Sequence, residues 1–266
     1  MINTPVPFEG KALMSGQNAC ITIERSGKPG IWFSQNGEEI QALADNVIST
    51  NNFVVVGNQN VQVALIEHLM AAFAFCNIKN ALVKLDGKEL PIFDGSASKW
   101  VEALKNSDLV SQAPVEITEF DEPLFYEENL TSIVLLPSDK FRVTYMIDFD
   151  HKELKNRYVS FEFGEDNSEI INARTFGFVR DLEKFHQMGI ALGAGLDNTV
   201  GLTDEGGYTC ELNSEFEPVK HKILDMVGDL HLTGKNPLGF KAHIIAKKAG
   251  HKSHVEFAKL VRTSFK

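Results

Sequence analysis

The chain has 266 residues, of which 43% are hydrophobic and 23% are charged, the composition of a folded globular protein. Its formal net charge of −10 argues against a nucleic-acid partner, because phosphate backbones are bound by basic surfaces. No window approaches the roughly 18 uninterrupted apolar residues of a membrane span, and no signal peptide is expected. The three cysteines form no CxxC pair, which favours a reducing, cytoplasmic compartment over a disulfide framework.

The first half of the chain alternates between predicted strands and helices. Alternating polar and apolar residues predict strands in "ACITIERS" and "GIWFSQ", and "ALVKLDG" predicts another strand that ends at an Asp-Gly turn. Apolar residues at helical spacing predict helices in "VQVALIEHLMAAFAF" and "SASKWVEALKNSDL". The stretch "NSDLVSQAP" is the expected linker, so a first domain would span residues 1–110.

The second half repeats this order. Strands are predicted in "VEITEF", "TSIVLLP", "FRVTYMIDF", "YVSFEF" and "GFKAHIIAKKAG". Helices are predicted in "FVRDLEKFHQMG", in "EPVKHKILDMVGDLHLTG" and in "SHVEFAKLVRTSF", the last opened by Ser253. The letters show no clear repeat, but the shared order of antiparallel strands and two helices predicts two α+β domains of similar architecture. The second domain would span residues 115–266.

One predicted helix carries three acid/base side chains in register. Steps of four residues place His221, Asp225 and Asp229 along one ridge of "HKILDMVGDL". The plain interpretation is a solvated stripe, but such stripes favour Glu and Lys, and Asp in a helix interior costs on the order of several tenths of a kcal/mol. A histidine and a carboxylate one turn apart can also bind one divalent metal, as HExxH-type helices do.

A catalytic zinc site needs a third protein ligand, and "IEHLMAAF" offers the candidate. Glu67 and His68 lie together in an otherwise apolar helix, where burying both without partners would be costly. His68 alone would be interpreted as a hydrogen-bonded core histidine. The adjacent Glu67 favours instead a base placed beside a metal ligand.

Other polar residues carry weaker signals. His251 follows Gly250 between a strand and a helix, where loops often carry catalytic side chains, but spacing alone leaves a structural role equally open. "RTFGFVRD" is typical of an ordinary strand-to-helix corner, and "LGAGLDN" lacks the spacing of a phosphate-binding loop. For the remaining histidines a surface or structural position is favoured, namely for His151, His186, His231, His243 and His254.

Five stretches of the sequence together resemble one known family. "IEHLMAAF", "PIFDGSA", "ARTFGFVRD", "HKILDMVGD" and "AGH" occur in the order and approximate spacing of the UDP-3-O-acyl-N-acetylglucosamine deacetylases, the zinc enzymes of the committed step of lipid A biosynthesis. The resemblance covers nearly the whole chain. It implies an α+β fold of two similar domains, each a mainly antiparallel sheet with two helices, packed as a sandwich with the helices between the sheets.

The resemblance also implies roles for particular residues. Zinc, or ferrous iron, would be held by two histidines and one aspartate, namely His68, His221 and Asp225. Glu67 would be the general base and His251 the general acid. Asp229 would hold the imidazole of His251, and Thr175 would donate its hydroxyl to the developing oxyanion.

The implied substrate contacts lie in three parts of the chain. The diphosphate would meet Lys222, with Lys248 as the weaker candidate. The uridine would be received by the segment of Asp148 and Phe149, and Phe176 would border the active site. An insert of about residues 174–200 would form the apolar passage for the 3-O-acyl chain, lined by Phe178, Leu182, Ile190 and Leu196.

The sequence departs from the family pattern at four places. Met14 stands in "EGKALMSG" where a histidine is usual, and Leu65 replaces a threonine. "STNNF" stands for the usual "TT-x-L", and Ala249 replaces a serine. Because the implied ligands and the acid/base residues are intact, the chemistry is expected to survive these changes.

The expected activity is therefore hydrolysis of the 2-acetamido group of UDP-3-O-acyl-N-acetylglucosamine by a metal-dependent amidohydrolase of a Gram-negative bacterium. Two other classes stay open. One is a weak or silent paralogue that binds a nucleotide sugar or a partner, and the other is a different zinc amidohydrolase such as a peptidase, although HExxH is absent. We expect a cytoplasmic monomer without a membrane span, whose association with a membrane surface would be peripheral and through the acyl chain of its substrate.

Overall fold

The computed structural model describes residues 4–265, so the ends of the two predicted domain ranges, residues 1–3 and 266, lie outside the described residues. Sixteen strands and six α-helices follow one another along the described part of the chain. The strands are β1 (Val6–Lys11), β2 (Asn18–Glu24), β3 (Gly30–Gln35), β4 (Glu38–Gln41), β5 (Val47–Ser49), β6 (Val55–Gly57), β7 (Gln62–Ala64), β8 (Asn80–Leu85), β9 (Thr118–Glu119), β10 (Leu124–Glu128), β11 (Thr131–Pro137), β12 (Arg142–Ile147), β13 (Arg157–Glu162), β14 (Phe176–Phe178), β15 (Val200–Leu202) and β16 (Phe240–Lys247). The helices are α1 (Glu67–Phe75), α2 (Ser98–Leu104), α3 (Ser168–Ile171), α4 (Val179–Gln187), α5 (Glu217–His231) and α6 (His251–Thr263).

The first sheet contains five strands in the order β1-β2-β8-β3-β4. Neighbouring strands are antiparallel except β3 and β8, which run parallel. The sheet has one buried face, because every second residue of β3 is buried: Ile31, Phe33 and Gln35. This is the period of two that the alternating sequence predicts.

The second sheet repeats this topology. Its strands lie in the order β10-β11-β16-β12-β13, again with one parallel pair along this order, β12 and β16. The short β9 lies outside this order and also pairs with β16 in parallel. In each sheet two hairpins come first along the chain, and a later strand lies between them. The prediction of an α+β fold with two similar sheets is therefore confirmed.

The helices join the two halves. Trp100 of α2 packs its ring against Phe8 of β1, with 4.7 Å between the ring centroids. Helix α5 packs against β12, α6 packs against β10 and β11, and α1 packs against α5. The apolar residues of both halves form one continuous core around these helices.

Helices α1 and α5 approach closely at Gly228. A Cβ atom at this position would lie 2.1 Å from the carbonyl oxygen of Glu67, which is closer than any side chain allows. Three residues further along α5, Nδ1 of His231 makes a hydrogen bond with the carbonyl oxygen of Met70, at 2.9 Å. This contact places the ends of two helices from different halves of the chain side by side.

Each half also contains an additional segment between its fourth sheet strand and the helix that precedes its central strand. In the first half this segment forms a small antiparallel sheet of β5, β6 and β7. In the second half it includes the parallel pair β14 and β15 with helix α4 between them, and α4 buries none of its residues. No helix within residues 4–265 combines the length and the apolar character needed to cross a membrane.

Two predicted helix starts are corrected. The apolar run from residue 61 was predicted to be helical throughout, but Gln62–Ala64 is a strand, and Leu65 takes a left-handed conformation (φ 64°) before α1 begins at Glu67. The last helix begins at His251 rather than at Ser253. Both starts place a charged or titratable side chain in the first turn of a helix.

Candidate active site

The first turn of α1 places Glu67 and His68 in the interior. They are 3% and 4% exposed. The backbone N–H of Val54 donates a hydrogen bond to Oε2 of Glu67 at 3.1 Å, which fixes the carboxylate from the side of the small sheet. The pair is thus neither solvated nor embedded in a purely apolar core.

The polar ridge of α5 is buried and is not a solvated stripe. His221, Asp225 and Asp229 are 3%, 1% and 0% exposed. Of the fifteen residues of α5, all but Lys222 are buried, so the helix is covered on nearly every side. Burying three such groups would be costly unless they bind one another or a ligand.

Three of the buried groups converge on one point. Oδ1 of Asp225 lies 3.4 Å from Nε2 of His221 and 3.7 Å from Nε2 of His68. A ligand atom from each of the three residues lies within 4.8 Å of the other two, and Oδ1 of Asp225 has no hydrogen-bond partner among the described residues. A buried carboxylate oxygen without a partner, facing two imidazole nitrogens, fits a divalent metal ion.

The protonation of these groups also suits a metal. Burial lowers the pKa of His68 to about 3, with the nearby His221 acting in the same direction, and burial also lowers the pKa of His221. Nδ1 of His221 lies 3.0 Å from the carbonyl oxygen of Ala173, which fixes its proton there and leaves Nε2 free. Burial opposes the charge of Asp225, but Lys222 and the histidines hold the pKa of this carboxyl well below its usual range.

A second pair of groups lies beside this triad. Nε2 of His251 lies 3.9 Å from Oε1 of Glu67, and its Nδ1 lies 2.8 Å from Oδ2 of Asp229. Burial raises the pKa of Glu67 to about 7. Burial opposes a charge on His251 as well, but Asp229 and Asp225 outweigh it and raise the pKa of this imidazole to about 9. Near neutral pH one group can accept a proton while the other still carries one, which is the requirement for a base and an acid.

An open cleft of about 510 Å³ is lined by Glu67, His68, His221, Asp225 and His251, whereas Asp229 lies beneath them and does not line it. Its wall also contains Thr175, and the rings of three phenylalanines close one side. Phe149 packs against Phe176 and Phe178, at 5.6 and 6.3 Å between ring centroids, and Phe176 meets the edge of His221 at 6.1 Å. The structure therefore brings the predicted metal, catalytic and aromatic residues to one place.

Other predicted contacts lie differently. Lys222 lines the cleft, and its Nζ lies 2.5 Å from Oδ2 of Asp225. Lys248 and Asp148 form an ion pair with each other at 2.5 Å, and neither is among the residues that line the cleft. The same holds for three of the four predicted passage residues, Leu182, Ile190 and Leu196, the last of which is 71% exposed. Their roles stay predictions.

Several residues at the cleft are not among the predicted site residues. Leu13, Thr50, Asn52, Thr131, Phe185 and Lys252 line the cleft. Only the departures "ALMSG" and "STNNF" pointed to any of them. Leu13 and Met14 also hold the insert, because their carbonyl oxygens accept hydrogen bonds from Gly193 and Leu192 at 2.8 and 3.1 Å.

Arg174 was assigned to an ordinary corner, yet it anchors the start of the insert. Its Nε and backbone N–H donate to the fully buried Oε1 of Glu217, at 2.8 and 2.9 Å, and its Nη2 donates to Oε2 at 3.0 Å. This bidentate pair ties Thr175, the next residue, to the start of α5. A sequence cannot show such a pair, because its partners are 43 residues apart.

A buried two-histidine, one-aspartate triad beside a carboxylate and a third imidazole is characteristic of metal-dependent hydrolases. Known proteins agree with this class. The family model described as UDP-3-O-acyl N-acetylglycosamine deacetylase matches residues 1–263. The chain belongs to this family.

Curated relatives carry the same name. A UDP-3-O-acyl-N-acetylglucosamine deacetylase of Leptospira biflexa is 37% identical over 226 residues, which cover 84% of this chain and 74% of the relative. Its counterpart in Geotalea uraniireducens is 34% identical over 274 residues, covering 96% of this chain and 85% of the relative. That of Myxococcus xanthus is 36% identical over 255 residues, covering 92% and 80%.

Proposed function

We propose that this chain hydrolyses the 2-acetamido group of UDP-3-O-acyl-N-acetylglucosamine, the committed step of lipid A biosynthesis in a Gram-negative bacterium. The products are acetate and UDP-3-O-acyl-glucosamine. One observation carries the proposal. Three ligand side chains and a base/acid pair converge in one cleft of a chain that belongs to the deacetylase family.

The metal would be held by Nε2 of His68, Nε2 of His221 and a carboxylate oxygen of Asp225. Zinc is the proposed ion, and Fe²⁺ suits the same donors. A divalent cation bound there would polarise the acetamido carbonyl group and lower the pKa of a water molecule. The unpartnered Oδ1 of Asp225 and the fixed tautomer of His221 support this assignment.

The side chains of the protein move the protons. Oε1 of Glu67 takes a proton from the attacking water, whose oxygen adds to the carbonyl carbon. The hydroxyl of Thr175 donates to the oxyanion that develops, a role worth about 3 kcal/mol for one donor. Nε2 of His251 then gives its proton to the amine nitrogen as the C–N bond breaks, while Asp229 holds the opposite side of the ring.

The substrate would lie along the cleft toward the second half. Lys222, which is at the cleft and half-buried, would meet the diphosphate, with Lys248 as the second candidate. The segment of Asp148 and Phe149 would receive the uridine, and Phe176 would border the reacting group. The acyl chain would pass Phe178 on the cleft wall and continue along the insert, past Leu182, Ile190 and Leu196.

We further propose the domain bounds 1–110 and 115–266, a cytoplasmic location and a monomeric state. The matching topology of the two sheets supports a division between them. Association with a membrane surface would be peripheral and through the acyl substrate.

The decisive experiment combines metal analysis with a deacetylation assay on UDP-3-O-acyl-N-acetylglucosamine. Glu67→Ala is expected to keep the metal and to lower turnover by roughly 10²- to 10⁴-fold. Glu102→Ala, an exposed glutamate of α2, is the matched control and should change neither. Unchanged turnover in Glu67→Ala with metal bound would remove the base from the mechanism.

The same assay separates the other classes. A wild-type chain that binds metal without turnover would be a silent paralogue. Turnover only on other amides would indicate a different amidohydrolase.

A further inference from the structure

A fourth histidine, His254, contacts Asp229, the residue that holds the proposed general acid. His254 is fully buried on α6, three residues after His251. Its Nδ1 lies 2.8 Å from Oδ2 of Asp229, the same oxygen that lies 2.8 Å from Nδ1 of His251. Its Nε2 lies 2.8 Å from the hydroxyl oxygen of Tyr145, a fully buried residue of β12. A chain of four side chains thus runs from the second sheet to the cleft.

The charges of these four side chains determine which atom donates in each hydrogen bond between them. Burial opposes ionisation of Asp229, but His251 and His254 hold the pKa of this carboxyl below its usual value, so it only accepts. Both Nδ1 atoms must therefore donate. Burial lowers the pKa of His254, which leaves its ring neutral and its Nε2 without a proton. Burial raises the pKa of Tyr145 well above its usual value, so its hydroxyl donates to that Nε2.

We propose that His254 is a positioning residue for the proposed deacetylation, holding Oδ2 of Asp229 against Nδ1 of His251 so that Nε2 of His251 faces the cleft. The inference rests on the proposed function. The other carboxylate oxygen, Oδ1 of Asp229, is buried and has no hydrogen-bond partner among the described residues. The orientation of the carboxylate therefore depends on two donors that meet at one oxygen, and loss of one leaves Asp229 free to rotate.

Hydrogen bonding accounts for this cluster without an ion. Asp229, His251 and His254 also offer ligand atoms close enough to bind a cation. However, a cation would need both Nδ1 atoms without protons, whereas both lie at hydrogen-bond distance from an ionised carboxylate. The positioning role therefore predicts one bound metal ion per protein chain. A second equivalent of metal in the wild-type protein that is absent from a His254 variant would overturn it.

The first test is a pair of substitutions at the same position. His254→Phe keeps a planar ring but removes the donor, whereas His254→Asn keeps an N–H near the place of Nδ1. His254→Phe is expected to lower kcat by roughly 10- to 100-fold with KM and metal content unchanged, as misplacement of a catalytic group does. His254→Asn should recover most of kcat. Equal kcat values in the two variants, or a wild-type kcat in His254→Phe, would overturn the proposal.

Two further variants separate positioning from general stability. Tyr145→Phe removes only the hydroxyl behind His254 and should lower kcat less than His254→Phe. His243→Phe replaces a half-buried histidine of β16, whose partner is the hydroxyl of Thr144 at 2.8 Å. It should lower the Tm of the protein without lowering the kcat of the folded fraction. A kcat loss in His243→Phe equal to that in His254→Phe would show that removal of any hydrogen-bonded histidine has this effect.

The second test does not use activity. In the metal-loaded protein, ¹⁵N-labelled histidine side chains report by NMR which ring nitrogen carries the proton. His254 is expected as the neutral tautomer with its proton on Nδ1, and its assignment follows from the spectrum of His254→Asn. A proton on Nε2 would overturn the proposal even if deacetylation were confirmed. The Nδ1 tautomer in a chain without deacetylase activity would leave the network intact and contradict the proposed function alone.

Discussion

The two halves of the molecule share a sheet topology, but the helix that follows the central strand is used differently in each half. In the first half, α2 follows the central strand β8, and the polar side chains at its start bind one another. Asp94 accepts hydrogen bonds from the hydroxyls of Ser96 and Ser98, at 2.9 and 2.8 Å. In the second half, α6 follows β16 and begins at His251, whose Nδ1 is bound by Asp229 while its Nε2 faces the cleft.

The difference shows what turns a helix start into a reactive site. A group whose hydrogen bonds are all made locally stabilises the fold and has nothing left for a substrate. A group held on one side by a buried carboxylate keeps its other side available. Under the proposed function, the same place in the repeated topology therefore serves structure in one half and chemistry in the other. Helices α1 and α5 differ less from each other, because both carry residues that the proposed function assigns to the metal ion.

The largest effect on metal content and activity is expected from removing a proposed metal ligand, whichever half of the molecule contributes it. His68→Ala in α1 and Asp225→Ala in α5 should each reduce bound metal to a small fraction of one equivalent and abolish deacetylation, because two remaining donors bind a divalent ion weakly. Metal analysis of the purified protein and the deacetylation assay measure both. Asp94→Ala, in the unreactive helix start, should keep the metal. Full occupancy in either ligand variant would remove that residue from the site.

The pH dependence should report the base of the first half and the acid of the second. Glu67 acts when deprotonated, so kcat/KM rises with pH through its pKa of about 7, and His251 acts when protonated, so kcat/KM falls through its pKa of about 9. A bound cation favours the ionised carboxylate and the neutral imidazole, so both limbs lie at or below these values. A profile of kcat/KM from pH 5 to 10, taken where the protein stays folded, checks this. An acid limb that persists unchanged in Glu67→Gln would contradict the assignment.

The contact between the halves should depend on Gly228. In a helix interior, alanine is more favourable than glycine by about 1 kcal/mol. In Gly228→Ala, however, the new Cβ atom would lie 2.1 Å from the carbonyl oxygen of Glu67. The clash should outweigh propensity, lower the free energy of unfolding by about 1–3 kcal/mol and reduce kcat by displacing the base. Gly164→Ala, whose Cβ would have no neighbour within 4 Å, is the control. Denaturant unfolding measures both, and equal stabilities would show that α1 moves away without cost.

The smallest effect should come from the unreactive helix start. Asp94→Ala removes three hydrogen bonds to Ser96 and Ser98 at a half-buried position and should lower the free energy of unfolding by about 1 kcal/mol. Its kcat and KM should stay at wild-type values. A loss of turnover at full metal occupancy would contradict a purely structural role for this position.

Much of the fold could be predicted because the signals are local. The periods of two and 3.6 residues identify β3, β16, α2 and α5, since burial of one face acts on residues only a few positions apart. The row of His221, Asp225 and Asp229 follows from the same periodicity. The prediction of one helix from residue 61 was wrong, because Leu65 takes a left-handed backbone conformation that apolar spacing does not indicate.

The sequence by itself thus determined the helical ridge, the two α+β halves and, through five motifs, the family. Only the tertiary structure decided that the ridge is buried, because α1 covers it from more than 150 residues away at Gly228. Only the tertiary structure connected Tyr145 through His254 to Asp229, although Tyr145 and His254 are 109 residues apart. It also paired Lys248 with Asp148 away from the cleft wall. The reason is physical. Periodicity shows which side chains share a face, but the pKa and the partner of a buried group depend on which distant segment covers that face.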